Sequence, residues 1–166
     1  MIRVDDKGIM TEQTTEEKFL ELNKEDFREL SSAPRRRARE ASLMLLFQID
    51  IGKNTWETAR QTLDLLGLTE DNLDFAVDLV QGVQDEIVDL DVLLVRYARE
   101  WDIDRFAGVD RSILRMSLYE LLHPGDTPAT IILNEAIELA KKFGAPESGP
   151  FINGILDNIY TMEIKK

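Results

Sequence analysis

Arg35, Arg36, Arg37 and Arg39 stand within five positions of a chain whose formal net charge is -12. They open the stretch "APRRRAREASLMLLFQID", residues 33–50, where Pro34 and the apolar spacing that follows predict a helix. Cations in a first helical turn oppose the macrodipole, by about 0.3–1 kcal/mol each at exposed sites, and they also repel one another. At about 100° per residue, Arg35, Arg36 and Arg39 share one sector while Arg37 points away. Three guanidiniums on one face suit phosphate oxygens, which they grip in pairs, and unstacked bases, on which they lie flat. Internal pairing explains the cluster equally well, with the acidic middle of the chain, with Glu40 or with the segment before the helix as partner. On these residues alone, RNA or DNA contact and internal pairing stand level.

A second feature is "SGPFING", residues 148–154. With Ser148 as its cap, a helix N-terminus here presents N–H groups and a positive dipole end to an anion. Phe151 in the first turn can stack a base, although core packing is the commoner use of a lone Phe at helical spacing. Gly154 lies inside the same helix, at about 1 kcal/mol relative to Ala. Close approach of a neighbouring helix accounts for it.

Catalytic and metal chemistry find little support. The chain has no cysteine, and its one histidine, His123, lies in the turn sequence "HPGD". Nothing near it supplies a nucleophile and an orienting acid. The pairs in "DLD" (89–91) and "DID" (102–104) resemble metal-binding carboxylates, but residues two apart on a helix point in different directions. Asp104 reads better as a helix cap. Glycine-rich phosphate loops are absent from the sequence. The expectation is a protein that is not an enzyme, with no metal and no cofactor.

These residues must be positioned by the elements around them. At 166 residues, with 43% hydrophobic and 31% charged content, the chain is one domain plus an appendage. No leader-like or membrane-length apolar run is present, so a cytoplasmic location without membrane attachment is the default. Residues 1–33 read as an acidic extension, disordered in "MIRVDDKGIM" and either mobile or an amphipathic helix over residues 14–30. From residue 34 helical spacing dominates. "TWETARQTLDLLG" runs from the cap Thr55 to a stop at Gly67. Leu73, Ala76, Val80, Val83, Ile87, Leu90, Leu94 and Tyr97 form a ladder with Asp71, Asp74, Asp78, Asp85 and Asp89 opposite, as one helix or two with a bend. "DRFAGVDRSILRMSLYELLHPGD" and "TPATIILNEAIELAKKFG", the latter opened by Thr127 and Pro128, add two more, and the helix of Phe151 closes the series. No alternating strand pattern appears. The fold class is all-α, with about seven helices.

Three of these segments resemble the NusB family of transcription antitermination factors. "RRRAREASLMLLFQID" is similar to the family's opening helix, "VDRSILRMSLYELL" to its central helix, and "TPATIILNEAIELAKKFGAPESGPFINGILDNI" to its C-terminal signature; "FAVDLVQGV" also fits. The likeness runs from residue 34 to about 160. It implies a compact bundle in two packed subdomains, with residues 34–166 as an RNA-binding domain. It implies a factor that binds single-stranded boxA-type RNA together with ribosomal protein NusE, and reaches other Nus factors and RNA polymerase indirectly, in support of ribosomal RNA transcription. By the same likeness Arg35, Arg36, Arg39 and Phe151 are RNA-contacting positions, and Phe47 and Asp110 belong to the NusE face. One departure stands out. Gly149-Pro150 occupies a place where many members carry a polar residue and then a Lys or Arg. An extension helix over Glu16–Glu29, lying on Arg35–Arg39 and competing with RNA, is a further expectation. The rival readings are a homodimeric scaffold of the same fold that binds RNA weakly, and a module like the helical domain fused to ribosomal RNA methyltransferases. The absence of a methyltransferase domain before Lys166 disfavours the second.

Overall fold

The computed structural model describes residues 2–4, 10–12, 30–99 and 102–165. Six α-helices lie among them: α1 (Pro34–Asp50), α2 (Trp56–Asp64), α3 (Glu70–Tyr97), α4 (Gly108–Leu122), α5 (Ala129–Phe143) and α6 (Ser148–Ile159). A single 3₁₀ turn, Ile103–Arg105, leads into α4, and a π-type turn, Tyr160–Ile164, follows α6. Before the bundle, β1 (Ile2–Val4) and β2 (Met10–Glu12) pair antiparallel, with Arg3 opposite Thr11. The sequence pattern contains no sign of this pair, since three-residue strands are too short to show alternation. The helix expected over residues 14–30 lies outside the described residues except for Leu30, which is buried in the core. The proposed cover over Arg35–Arg39 lies outside them too.

The bundle is all-α. α1, α2 and α3 pack together, α4, α5 and α6 pack together, and α4 joins the two groups by lying against α1 and α3. α1 and α4 are central. Every residue of α1 from Ala38 to Gln48 is buried, and α4 is buried from Val109 to Leu121 apart from half-buried Arg111. Helices enclosed on all sides carry apolar residues all round, and any charge on them must be paired. Arg39, Glu40, Asp110, Arg115 and Glu120 are the charged residues so enclosed.

α3 is one continuous helix of 28 residues, which decides against two helices with a bend. It buries Ala76, Leu79, Val80, Val83, Leu90 and Leu94 and leaves Asp71, Asp74, Asp78, Asp85 and Asp89 exposed, as the ladder predicts. Thr55 caps α2 by accepting from the Thr58 N–H at 3.3 Å. Two other caps differ from expectation. Pro128 itself is the cap of α5, and Ala107 caps α4, leaving Asp104 in the preceding 3₁₀ turn.

Gly82 sits where α3 crosses α4. The Tyr119 ring occupies the place a β-carbon at Gly82 would take, and the Tyr119 hydroxyl donates to Asp78 at 2.8 Å. Burial first, and then the Asp78 hydrogen bond, pushes the phenol well above its ordinary value. Gly82→Ala is expected to destabilise the fold by about 1–3 kcal/mol, because the ring must shift from where the β-carbon would stand and give up its bond to Asp78. Urea denaturation checks this, and a Gly82→Ala/Tyr119→Leu chain should recover part of the loss.

Candidate nucleic-acid interface

The arginine cluster folds into the first turns of α1, after Ala33 as a cap with no side-chain bond and with no acid in the first turn. Its members then separate by environment. Arg39 is 4% exposed, and its Nε and Nη2 donate to the two carboxylate oxygens of Glu120 on α4, at 3.0 and 2.5 Å. Arg36 makes the same forked contact with Glu135 on α5, at 3.1 and 2.8 Å, while remaining 41% exposed. That hydrogen bond, reinforced by the Glu135 charge, raises the Arg36 guanidinium further above its ordinary value. Glu135 also lies 3.9 Å from Arg39, so the carboxylate links both arginines. Beside them Glu40 accepts from Lys142 at 2.9 Å and from the Ser31 N–H at 2.7 Å.

Arg35 is different. It is exposed, its guanidinium lies over the Phe75 ring at 4.1 Å, and no carboxylate pairs with it among the described residues. The ring holds the group by cation–π attraction without using its N–H donors.

At the other end of α1, Phe47 is 3% exposed and its ring fills the space beside Gly108, where a β-carbon would come within 2.7 Å. Asp110, two residues further along α4, is buried as well. As positioned, neither presents its side chain to a partner. They shape the corner between α1 and α4, whose exposed rim is Asp104, Arg105 and Ala107. Next to this corner Asp50 accepts from Arg111 at 2.6 Å and from Arg115 at 2.8 Å, and Arg115 also forks onto Asp91 of α3 through two bonds of 2.7 Å. Burial alone would lower the Arg115 guanidinium, but the bonds to Asp91 and Asp50 outweigh it and hold the group above its ordinary value.

Phe151 stands half-buried in the first turn of α6, edge-on to Phe106 with ring centroids 5.3 Å apart. It lines an open groove of about 530 Å³ together with Tyr97, Arg99, Pro150, Gly154 and Asn158. Arg99 adopts the left-handed backbone conformation, φ 57°, just past the end of α3. Gly154 has no atom within 4 Å of where a β-carbon would stand. Close helix packing is therefore not its reason; its missing side chain leaves the groove open. The helix start is a poorer anion seat than the sequence suggests. The Ser148 N–H bonds the Ala145 oxygen, the Phe151 N–H bonds the Glu147 oxygen, and Pro150 has no N–H. Ser148 is the first helical residue instead of the cap, and its hydroxyl accepts from the Ala145 N–H at 3.0 Å.

The two regions are far apart. Phe75 and Tyr97 lie near opposite ends of α3, which at about 1.5 Å per residue separates them by about 33 Å.

Comparison with known proteins gives this geometry its setting. A model of the NusB family matches residues 36–161. The chain belongs to the NusB family. Among curated relatives, the transcription antitermination protein NusB of Bacillus velezensis is 44% identical over 128 residues, which are 76% of this chain and 95% of that protein. The solved structure of T. maritima NusB superposes with a TM-score of 0.71 at 34% identity, covering 80% of this chain and 94% of that one. A structure of antitermination factors NusB and NusE in complex with double-stranded RNA has the same fold at 24% identity, with a TM-score of 0.67 over 75% of this chain and 93% of that chain. The family match takes in all six helices but for the first two residues of α1, so that Arg36, Arg39 and Phe151 lie within it and Arg35 stands one residue before it.

Of the residues singled out from the sequence, the structure groups Arg35, Arg36 and Arg39 on one side of α1, with Arg36 and Arg39 forked onto carboxylates and Arg35 without a carboxylate partner among the described residues. The acids that engage the other two, Glu120 and Glu135, carry no local signal. Tyr97 and Arg99 were also missed as groove residues, because Tyr97 ends an apolar ladder and Arg99 follows a helix end. Among the described residues, no group of three or more histidines and carboxylates is placed to hold a metal ion, and no helix is long and apolar enough to cross a membrane.

Proposed function

We propose that this chain is a cytoplasmic transcription antitermination factor that binds single-stranded boxA-type RNA jointly with NusE and catalyses no reaction. Through that complex it meets other Nus factors and RNA polymerase. The observation that carries the reading is Arg35, an exposed guanidinium over the Phe75 ring with no carboxylate paired to it among the described residues. Family membership supports it, as does the groove that offers Phe151 and Tyr97 to bases and Arg99 to phosphate. Arg99, which lines the same groove as Pro150, stands in for the basic group missing at Gly149-Pro150. Arg36 contributes from its exposed edge, and Arg39 acts by fixing α1 against α4. NusE docks on the rim of the α1–α4 corner that Phe47 and Asp110 shape from inside.

The test uses the separation of the two regions. A strand reaching from Phe75 to Tyr97 needs about ten nucleotides at a duplex-like 3.4 Å spacing. Arg35→Ala should flatten the salt dependence of RNA binding by about 0.7 in log–log slope. Phe151→Ala should weaken binding by about 1–3 kcal/mol for one stacked base, and the two losses should add. RNA cut to half that length should feel one substitution and not the other. If neither substitution changes the affinity of the full-length RNA, the interface is placed wrongly.

A further inference from the structure

The outward face of α3 carries an apolar stripe that the bundle does not use. Val88, Val92 and Val95 are 72%, 54% and 42% exposed. Spacings of four and three stack them on one line of the helix surface. Stacked in this way they make one contiguous apolar strip, the kind of surface that a docked helix can cover.

Charge identifies what covers them. Along the same helix Glu70, Asp71, Asp74, Asp85 and Asp89 are exposed and make no ion pair among the described residues. The neighbouring acids are all engaged: Asp64 with Arg60, Asp78 with Tyr119, Glu86 with His123 and Asp91 with Arg115. Between Asp64 and Asp91 the chain has no Lys or Arg to neutralise the remaining five. The helix therefore carries unneutralised acids from Glu70 to Asp89 and an apolar stripe from Val88 to Val95, the two meeting at Asp85 and Asp89, over a length of about 42 Å. RNA is repelled by it. A second copy of the chain would set acid against acid across a two-fold axis unless it met the face by its cationic end. The residues before Pro34 hold more acidic than basic side chains and suffer the same repulsion.

We propose that this face of α3 docks a basic amphipathic helix of a partner protein, its apolar residues on Val88, Val92 and Val95 and its Lys and Arg over Asp74, Asp85 and Asp89. Helix-on-helix recognition of this kind takes its affinity from the apolar anchors and its orientation from the charged flank. The surface is independent of the RNA reading, since neither Arg35 nor Phe151 belongs to it.

The test is fluorescence anisotropy on the full chain with a labelled synthetic helical peptide carrying Leu at i, i+3/i+4 and i+7 and Lys along one flank. A scrambled peptide of the same composition and a version with Glu for Lys are the controls. The amphipathic basic peptide should bind at least about tenfold tighter than either control. Val92→Lys should weaken it by about tenfold, Asp85→Lys/Asp89→Lys should weaken it comparably and flatten its salt dependence, and both chains should keep native helicity and RNA affinity. Equal binding of the scrambled peptide would reduce the face to unspecific attraction and overturn the proposal. So would absence of binding, binding that survives both variants, displacement of the peptide by RNA, or a homodimer that Val92→Lys dissolves.

Discussion

Arg39→Ala is expected to destabilise the fold by about 3–5 kcal/mol, far more than any other substitution in the opening arginine cluster. The reason is Glu120, which is left in the interior with its only forked partner removed, while Arg39 itself is 4% exposed. A carboxylate stranded there can neither find water nor relax toward another cation, because Arg36 and Lys142 are already held by Glu135 and Glu40. Chemical denaturation measures the loss. Replacing both partners by apolar residues of similar size, as in Arg39→Met/Glu120→Leu, should leave stability near or above that of the parent, since the desolvation of two charges is then avoided. By contrast Arg35→Ala should change stability by no more than about 0.5 kcal/mol, its guanidinium lying on the surface. A cluster that reads as one patch therefore divides into members paired with carboxylates, Arg36 and Arg39, and an exposed member, Arg35.

Arg115→Ala is the second large effect, about 3 kcal/mol or more. Arg115 ties Asp50 at the end of α1 to Asp91 in α3, from a position on α4, and so fastens three helices at one point. Its loss leaves Asp91 without the fork and Asp50 dependent on Arg111. Arg115→Lys should recover little, because an ammonium cannot make the parallel pair of bonds to Asp91 and the third bond to Asp50 together. Thermal denaturation followed by circular dichroism reads both variants, and the lysine chain should melt close to the alanine one.

The helices were legible because their apolar ladders are long and their stops are marked. The ladder from Leu73 to Tyr97 marks most of α3 and its end, though not its start at Glu70 or its being one unbroken helix, and Thr55 predicts the start of α2. What sequence spacing cannot convey is which way a sector faces. Arg35, Arg36 and Arg39 share one side of α1, as the helical angle requires, but that side turns from solvent to core within a turn, between Arg35 and Arg39. Their partners lie 81 and 99 residues away, so no local pattern announces Glu120 or Glu135. Phe47 and Asp110 rested on resemblance, which aligns positions without saying whether they are buried, and both prove to be enclosed. The groove around Phe151 needed the end of α3 to be brought beside the start of α6. Tyr97 and Arg99 are separated from Phe151 by more than fifty positions of chain, and neither is unusual in its own surroundings. The internal-pairing explanation of the cluster holds for Arg36 and Arg39, though with acids of α4 and α5 in place of the acidic stretch of α3.

The measurement that bears most directly on the proposed function is fluorescence anisotropy of a short labelled boxA-type RNA titrated with this chain, with and without NusE, against a scrambled RNA of equal length. The antitermination reading predicts tighter, sequence-selective binding when NusE is present, and a clear loss on Arg35→Ala. Equal or absent binding of the two RNAs in the presence of NusE would contradict it.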